Sequence, residues 1–412
     1  MLPAALPAGV TPQADTLRSR DFLLLWGVGG IGNAMRWLEV LAAALFTLDA
    51  TGSQMAVAAV SAARSLPLIF TAALAGVLAD AFDRRAIIAG GTLLSAVAAG
   101  AIAVLAWKGM LAPWHLFAAS VASGLVYGTE MSARRRMVGE CVVPRLTARA
   151  IALDSLTGSA SRFVGPLLGG VAYEGLGVSG TFAASALFNL LAVGMVVCVR
   201  HHQPRRALSV AAVVTDLTEA AGLVRRSAVL STVLLVTMAQ NLFGFAYSAL
   251  VAPVGRDVFG ASAALIGVLA AAEPVGASLG GAVLALFGVP PGRPVRLLLV
   301  ASAWFLAALA AMTLVTGFWA SCLLLLAGGL GLAVYSNEQT TIALTETPEA
   351  ARSRVMGLIT TAVGCWPLGM LLAGFLADRL GPLRALSALG IAGLVWVAVT
   401  AVIQERRQPA AE

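Results

Sequence analysis

GPLLGGVAYEGLG (165–177) and GMLLAGFLADRLG (369–381) align without a gap at an offset of 204 residues. Gly165, Gly170 and Gly177 fall on Gly369, Gly374 and Gly381, and the leucine pair 167–168 falls on 371–372. Gly76 finds Gly281 at an offset of 205, close to half of the 412-residue chain. Such self-similarity at half length predicts two halves built on one plan and set in the same orientation.

The segments around the repeat are apolar for twenty residues or more. The chain is 59% hydrophobic and 11% charged, whereas a soluble chain carries about a quarter charged residues. Helices and closed barrels are the structures that satisfy the backbone in lipid, and these runs lack the two-residue alternation of barrel strands. The expected fold is an all-α membrane protein with twelve transmembrane helices in two pseudo-symmetric six-helix bundles. The spans fall near 22–48, 55–79, 86–107, 113–137, 148–173, 178–199, 227–252, 262–287, 294–315, 317–340, 352–377 and 383–403. The organisation follows: an N-terminal tail (1–20), a first bundle (21–200), a linker (201–226), a second bundle (227–404) and a C-terminal tail (405–412). The linker's second part, VAAVVTDLTEAAGLVRRS, has the pattern of an amphipathic helix lying along the membrane surface.

Arginine sets the orientation. The net charge of +7 comes from 27 basic residues, all arginine except Lys108. With the N-terminus inside, twenty fall on inner segments, and four (Lys108, Arg256, Arg379, Arg384) on outer ones. Arg36, Arg64 and Arg162 lie within spans. This bias predicts a multi-pass protein of the cell's inner (plasma) membrane with both termini cytoplasmic. It explains the basic balance as a topology signal, so no nucleic-acid partner is expected. The first twenty residues make a poor signal peptide. Cys141, Cys198, Cys322 and Cys365 have neither metal-ligand nor disulfide spacing, and no metal or cofactor is expected.

GVLADAFDRRA (76–86) resembles the signature of the major facilitator superfamily in the loop between helices 2 and 3. Gly76, Asp80, Arg84 and Arg85 match, while Ala81 and Asp83 depart from it. The wider stretches TGSQMAVAAVSAARSLPLIFTAALAGVLADAFDRR and ARRRMVGECVVPRLTARAIALDSLTGSASRFVGPLLGG are similar to its drug-exporting branch, which includes macrolide and siderophore exporters. GSASRFVGPLLGG resembles the helix-5 antiporter motif through Gly165, Pro166, Gly169 and Gly170. Helix 4 lacks the early arginine of many proton-coupled relatives. The resemblance implies a secondary transporter, working as a monomer by alternating access, that expels an amphipathic small molecule against protons. A dedicated siderophore or metabolite exporter is the alternative; an importer or a non-transporting sensor fits less well. Asp80, Arg84 and Arg85 would form an inner latch against the inner ends of helices 4 and 11. GFLAD (374–378), despite its likeness to GVLAD (76–80), lies at the opposite face and reads as a packing repeat that ends in Asp-Arg.

Charges in hydrocarbon are costly and normally face a cavity or a partner. Arg36, Glu39, Arg64, Glu130, Arg162 and Glu273 are therefore the candidates for the cavity and for proton coupling, with Glu338 near the inner end of helix 10. Arg36 and Glu39 share a helical face and are expected to pair, as are Glu130 and Arg134 one turn apart. Arg64 is expected to line the outer half of the cavity, and Arg162 to hold carboxylates across the bundle. Glu273, with Glu39, is the candidate proton-binding acid, the alternative for it being a hydrogen-bonded structural acid. Trp37, Gln240, Asn241, Phe245, Tyr247 and Asn337 are the expected cargo contacts. No histidine or cysteine stands beside a mid-membrane acid and no H-E-x-x-H motif occurs, which argues against an enzyme.

Overall fold

A computed structural model describes residues 16–67, 83–200, 221–288 and 293–407. The described residues are helical, and twelve helical segments follow one another. They are α1 (Arg20–Thr51), α2 (from Gln54), α3 (Arg84–Trp107) and α4 (Pro113–Glu140). Pro144–Val197 follows as one stretch, broken at Gly177 (φ 65°, ψ −178°) into α5 (144–176) and α6 (178–197). The second set is α7 (228–258), α8 (Ala263–Phe287), α9 (Pro294–Ala310), α10 (Phe318–Thr345), α11 (352–380) and α12 (Pro382–Arg407). Gly76 and Asp80 of the inner-latch motif, and most of the 201–226 linker, lie outside the described residues; 221–226 is helical.

Nine helices among the described residues are long and apolar enough to cross a membrane, counting α5 and α6 as one. The fourth segment falls outside that set because it turns Ser120, Ser123, Tyr127 and Glu130 inward, which lowers its hydropathy. Large apolar side chains such as Val97, Leu187, Leu279, Leu323 and Val395 point outward, as expected where the surrounding medium is lipid.

The glycines of the repeat show how the halves are assembled. A Cβ on Gly165 would lie 2.5 Å from Trp37 Cβ, and one on Gly169 would meet Leu38, so α5 rests on α1 within its own half. Gly369 does the same for α11 on α7, where a Cβ would meet the carbonyls of Leu242 and Asn241. One helical turn onward the partners change. Gly170 brings α5 onto Ala263 of α8, and Gly374 brings α11 onto Gln54 and Ala58 of α2. These are contacts between the halves. Gly177 (φ 65°) and Gly381 (φ 84°) then end the two helices in a conformation that side chains resist.

A shared apolar cluster completes the joint. Leu41, Leu45, Leu48 and Val57 of the first half pack with Tyr247, Leu250, Val251, Ile266 and Leu269 of the second. Phe22, Leu25, Ile88 and Met137 form a separate core inside the first half.

Candidate transport site

Between the halves lies a cavity of about 240 Å³, lined mostly by apolar groups from α1, α5, α7, α8 and α11. Trp37, Asn241, Phe245 and Tyr247, expected from sequence, line it together with Arg162, Pro166 and Glu273. The backbone of α7 is irregular at this point: a π turn over Gln240–Gly244 passes into a 3-10 turn over Phe245–Ala249. Turns of this kind re-aim side chains and recur at functional sites; here they bring Asn241, Phe245 and Tyr247 to the cavity.

Its polar centre joins the two halves. An Arg162 NH2 group of α5 lies 3.0 Å from Glu273 Oε2 of α8, and the Tyr247 hydroxyl donates to the same oxygen at 2.8 Å. Glu273 is 1% exposed. Removing one member of a buried pair leaves an uncompensated charge, at a cost of about 3–5 kcal/mol.

Two expected cargo contacts are elsewhere. Gln240 is fully buried and donates to the Ser302 carbonyl of α9 at 3.2 Å. Asn337 is exposed on α10 and donates to Glu338 at 3.2 Å. Both residues sit on polar stretches, but the helix face that each occupies turns it from the cavity. Trp366, which the sequence reading missed, does line the cavity and donates its indole N–H to the Phe245 carbonyl at 3.1 Å. The break between the two parts of α11, just before Trp366, is what aims it there.

Arg36, Glu39, Arg64 and Glu130 occupy a second space, a polar chamber inside the first half. It measures about 50 Å³ and shares no lining residue with the central cavity. Here the expected pairs are replaced. Glu39 accepts from Arg64 and from Ser185, both at 2.6 Å, rather than from Arg36. The Arg36 guanidinium lies over the Tyr127 ring, 3.0 Å from its centroid. Arg134 pairs with Asp154 of α5 instead of Glu130. Arg64 thus faces this chamber, and not the outer half of the cavity. Helical spacing alone favours neighbours on one helix, whereas burial favours the partners that other helices bring closer.

At the inner end, Arg84 pairs with Glu140 of α4 at 2.5 Å, and Arg85 donates to the Val197 carbonyl of α6. Asp83 caps α3 by accepting from the Arg85 N–H at 2.8 Å.

The outer face, the one the arginine count assigns to the outside, is bridged by several polar contacts between halves. Arg256 binds Asp49 through two nitrogens at 3.2 and 3.1 Å, and Gln54 donates to Asp257 at 2.6 Å. Asp378 is more than the end of a packing repeat. It accepts from the backbone N–H of Gln54 (2.7 Å) and Met55 (3.3 Å) and from the Ser53 hydroxyl (3.2 Å), at the N-terminus of α2. Glu174, 204 residues earlier, accepts from the Ala264 N–H at 2.9 Å, at the N-terminus of α8. Both carboxylates sit at the favoured end of a helix dipole.

A family model described as "Transmembrane secretion effector" matches residues 11–412, nearly the whole chain. The chain belongs to this family of the major facilitator superfamily. As a member of the superfamily it is a multi-pass membrane transporter and not an enzyme. It is 23% identical to "Macrolide efflux protein A" of Streptococcus pyogenes over 376 residues, which cover 87% of this chain and 90% of the relative. Solved structures share the superfamily fold. A bacterial homologue of the human lysosomal transporter Spinster, inward-facing and unoccupied, matches with a TM-score of 0.74 at 14% identity, covering 95% of this chain and 97% of that one. A peptide transporter variant in complex with alafosfalin matches with a TM-score of 0.75 at 14% identity, covering 97% of both chains.

Proposed function

We propose that this superfamily member exports an amphipathic small molecule by alternating access, driven by an inward proton gradient. The observation that carries the reading is the Arg162–Glu273 pair, which ties one half to the other in an otherwise apolar cavity. A cationic amphiphile places its ring system on Trp37, Phe245 and Trp366, and its charge competes with Arg162 for Glu273. Cargo entry thereby loosens the tie on which the closed arrangement depends. The macrolide-exporting relative supports export. At about 240 Å³ the cavity is smaller than the ~300–1,000 Å³ of most drug-sized pockets, so a macrolide would require it to widen, whereas a smaller cation would not.

In this reading the protein sits in the plasma membrane with both termini in the cytoplasm and works as a monomer, with Arg84 and Arg85 in the inner latch. The test is efflux of ethidium, with erythromycin in parallel, from proteoliposomes under an imposed pH gradient. Wild-type protein moves ethidium only when the gradient is present, and Glu273→Gln does not. Normal export by Glu273→Gln with unchanged pH dependence removes Glu273 from the mechanism. Absence of gradient-driven flux for both probes sinks the exporter reading.

A further inference from the structure

The polar chamber of the first half is separate from the apolar cavity, and it concentrates ionisable groups inside the membrane. It is lined by Arg36 and Glu39 of α1, Arg64 from the end of α2, Thr92 of α3, Tyr127, Glu130 and Arg134 of α4, and Asn189 of α6. Asp154 of α5 stands behind Arg134. Three arginines therefore meet three acids, and two pairs are settled: Arg64 with Glu39, and Arg134 with Asp154. The third arginine, Arg36, rests on the Tyr127 ring. The third acid, Glu130, accepts one hydrogen bond, from the Thr92 hydroxyl at 3.2 Å, and has no ion-pair partner among the described residues.

From this arrangement we infer that Glu130 is the proton-binding site of the transport cycle, held in a chamber separate from the cargo. The inference rests on the exporter reading above and assigns its driving ion to a residue. A carboxylate without a cation is costly inside a membrane protein, and a proton is the ligand that cancels its charge in place. The opposing field comes from Arg36 on α1 and Arg134 on α4. Arg64 on α2 and Arg134 are already committed to Glu39 and Asp154, which leaves Arg36 as the uncommitted charge. When Glu130 loses its proton, Arg36 is the group free to leave Tyr127 and meet the carboxylate. That movement carries the α1 contact about one turn along α4, from Tyr127 to Glu130.

α1 also carries Trp37 and Val40, which line the cargo cavity. Proton and cargo thus act on adjacent faces of one helix, and exchange is coupled without the two sharing a site. Gly91 belongs to the same device. A Cβ there would lie 2.9 Å from Glu130 Oε2, so a larger residue shifts the end of that flexible side chain. Glu338, a buried acid that likewise has no ion pair among the described residues, binds Asn337 and borders neither space.

The test uses the full-length protein in proteoliposomes with radiolabelled ethidium. Gradient-driven efflux is compared with ethidium–ethidium exchange, which needs no net proton movement. Glu130→Gln is expected to abolish driven efflux and to keep wild-type exchange. Glu130→Asp restores driven efflux with a displaced pH midpoint. In detergent, acid titration of the wild type takes up one proton more than Glu130→Gln, a readout that does not depend on transport. Wild-type driven efflux by Glu130→Gln overturns the assignment. So does loss of both fluxes in Glu130→Gln when Gly91→Ala, which displaces the same carboxylate, leaves both intact. A wild type with exchange but no gradient-driven flux strikes instead at the proton-driven reading on which this one rests.

Discussion

Glu174 caps α8 across the boundary between the halves, and 204 residues later Asp378 caps α2 across the same boundary in the other direction. No such symmetry relates the interiors. The first half encloses Arg36, Glu39, Arg64, Glu130 and Arg134 in a polar chamber. In the second half, Phe305 packs against Gly328, Phe245 and Tyr247. The joints of the fold are duplicated and its ionisable machinery is not. Geometry that lets two bundles close on each other has to be matched on both sides of the joint, whereas a buried charge cluster does not.

The strongest way to break this comparison is to fill one member of each glycine pair. Gly170→Leu and Gly374→Leu drive a side chain into the opposite half where not even a Cβ has room, so the halves cannot close. Both are expected to abolish export and to raise labelling of outer-face cysteine probes, by similar amounts. Gly165→Leu, which presses on α1 of its own half, should instead lower the melting temperature. A thermal-shift assay beside the labelling assay separates the two outcomes.

Second in size is Arg162→Ala. It strands Glu273 with the Tyr247 hydroxyl alone, at about 3–5 kcal/mol. Transport is lost, and Arg162→Ala with Glu273→Gln should recover stability without recovering export. If the double variant is no more stable than the single one, the pair is not the tie described here.

Smaller effects separate the two caps. Asp378→Ala removes an acceptor of three hydrogen bonds and Glu174→Ala one that accepts from Ala264. The Asp378 cap is worth about 1 kcal/mol, roughly a fivefold change in the closed-to-open ratio, and the solvent-exposed Glu174 cap less. Outer-face accessibility should rise in both, more in Asp378→Ala, and additively in the double variant. Equal silence of both substitutions would reduce the caps to surface decoration.

The smallest effects test orientation and specificity. Gly281→Ala meets open space and should leave export unchanged. Cys198 is exposed at the inner end of α6, while Cys141 is buried, with its thiol pushed up to about 11 by burial. An impermeant maleimide should therefore label Cys198 from the cytoplasmic side at neutral pH and spare Cys141. Labelling of Cys198 from the outside reverses the assignment of faces.

Much of the frame was legible in the sequence because lipid and repetition leave regular traces. Helical spans follow from hydropathy, and the matched glycines of 165–177 and 369–381 mark places where backbones touch. The cavity was legible in part, through Trp37, Arg162, Phe245, Tyr247 and Glu273. What escaped was pairing. Spacing along one helix suggested Arg36 with Glu39 and Glu130 with Arg134, but α2 and α5 bring Arg64 and Asp154 to those positions. Asp378 was read as the tail of a packing motif because a cap on another helix's N-terminus leaves no local pattern. Gln240 and Asn337 were misplaced for a related reason: composition marks a polar helix, and only packing shows which space its face adjoins.

The central claim is that the halves part and rejoin at the outer face during transport. Ser53 and Asp378 lie across that joint with Oγ and Oδ2 3.2 Å apart. The Ser53→Cys, Asp378→Cys double variant, on a background without the native cysteines, allows the joint to be locked by oxidation. Gradient-driven ethidium efflux should stop on disulfide formation and return on reduction. Undiminished efflux by the fully crosslinked protein would contradict the account.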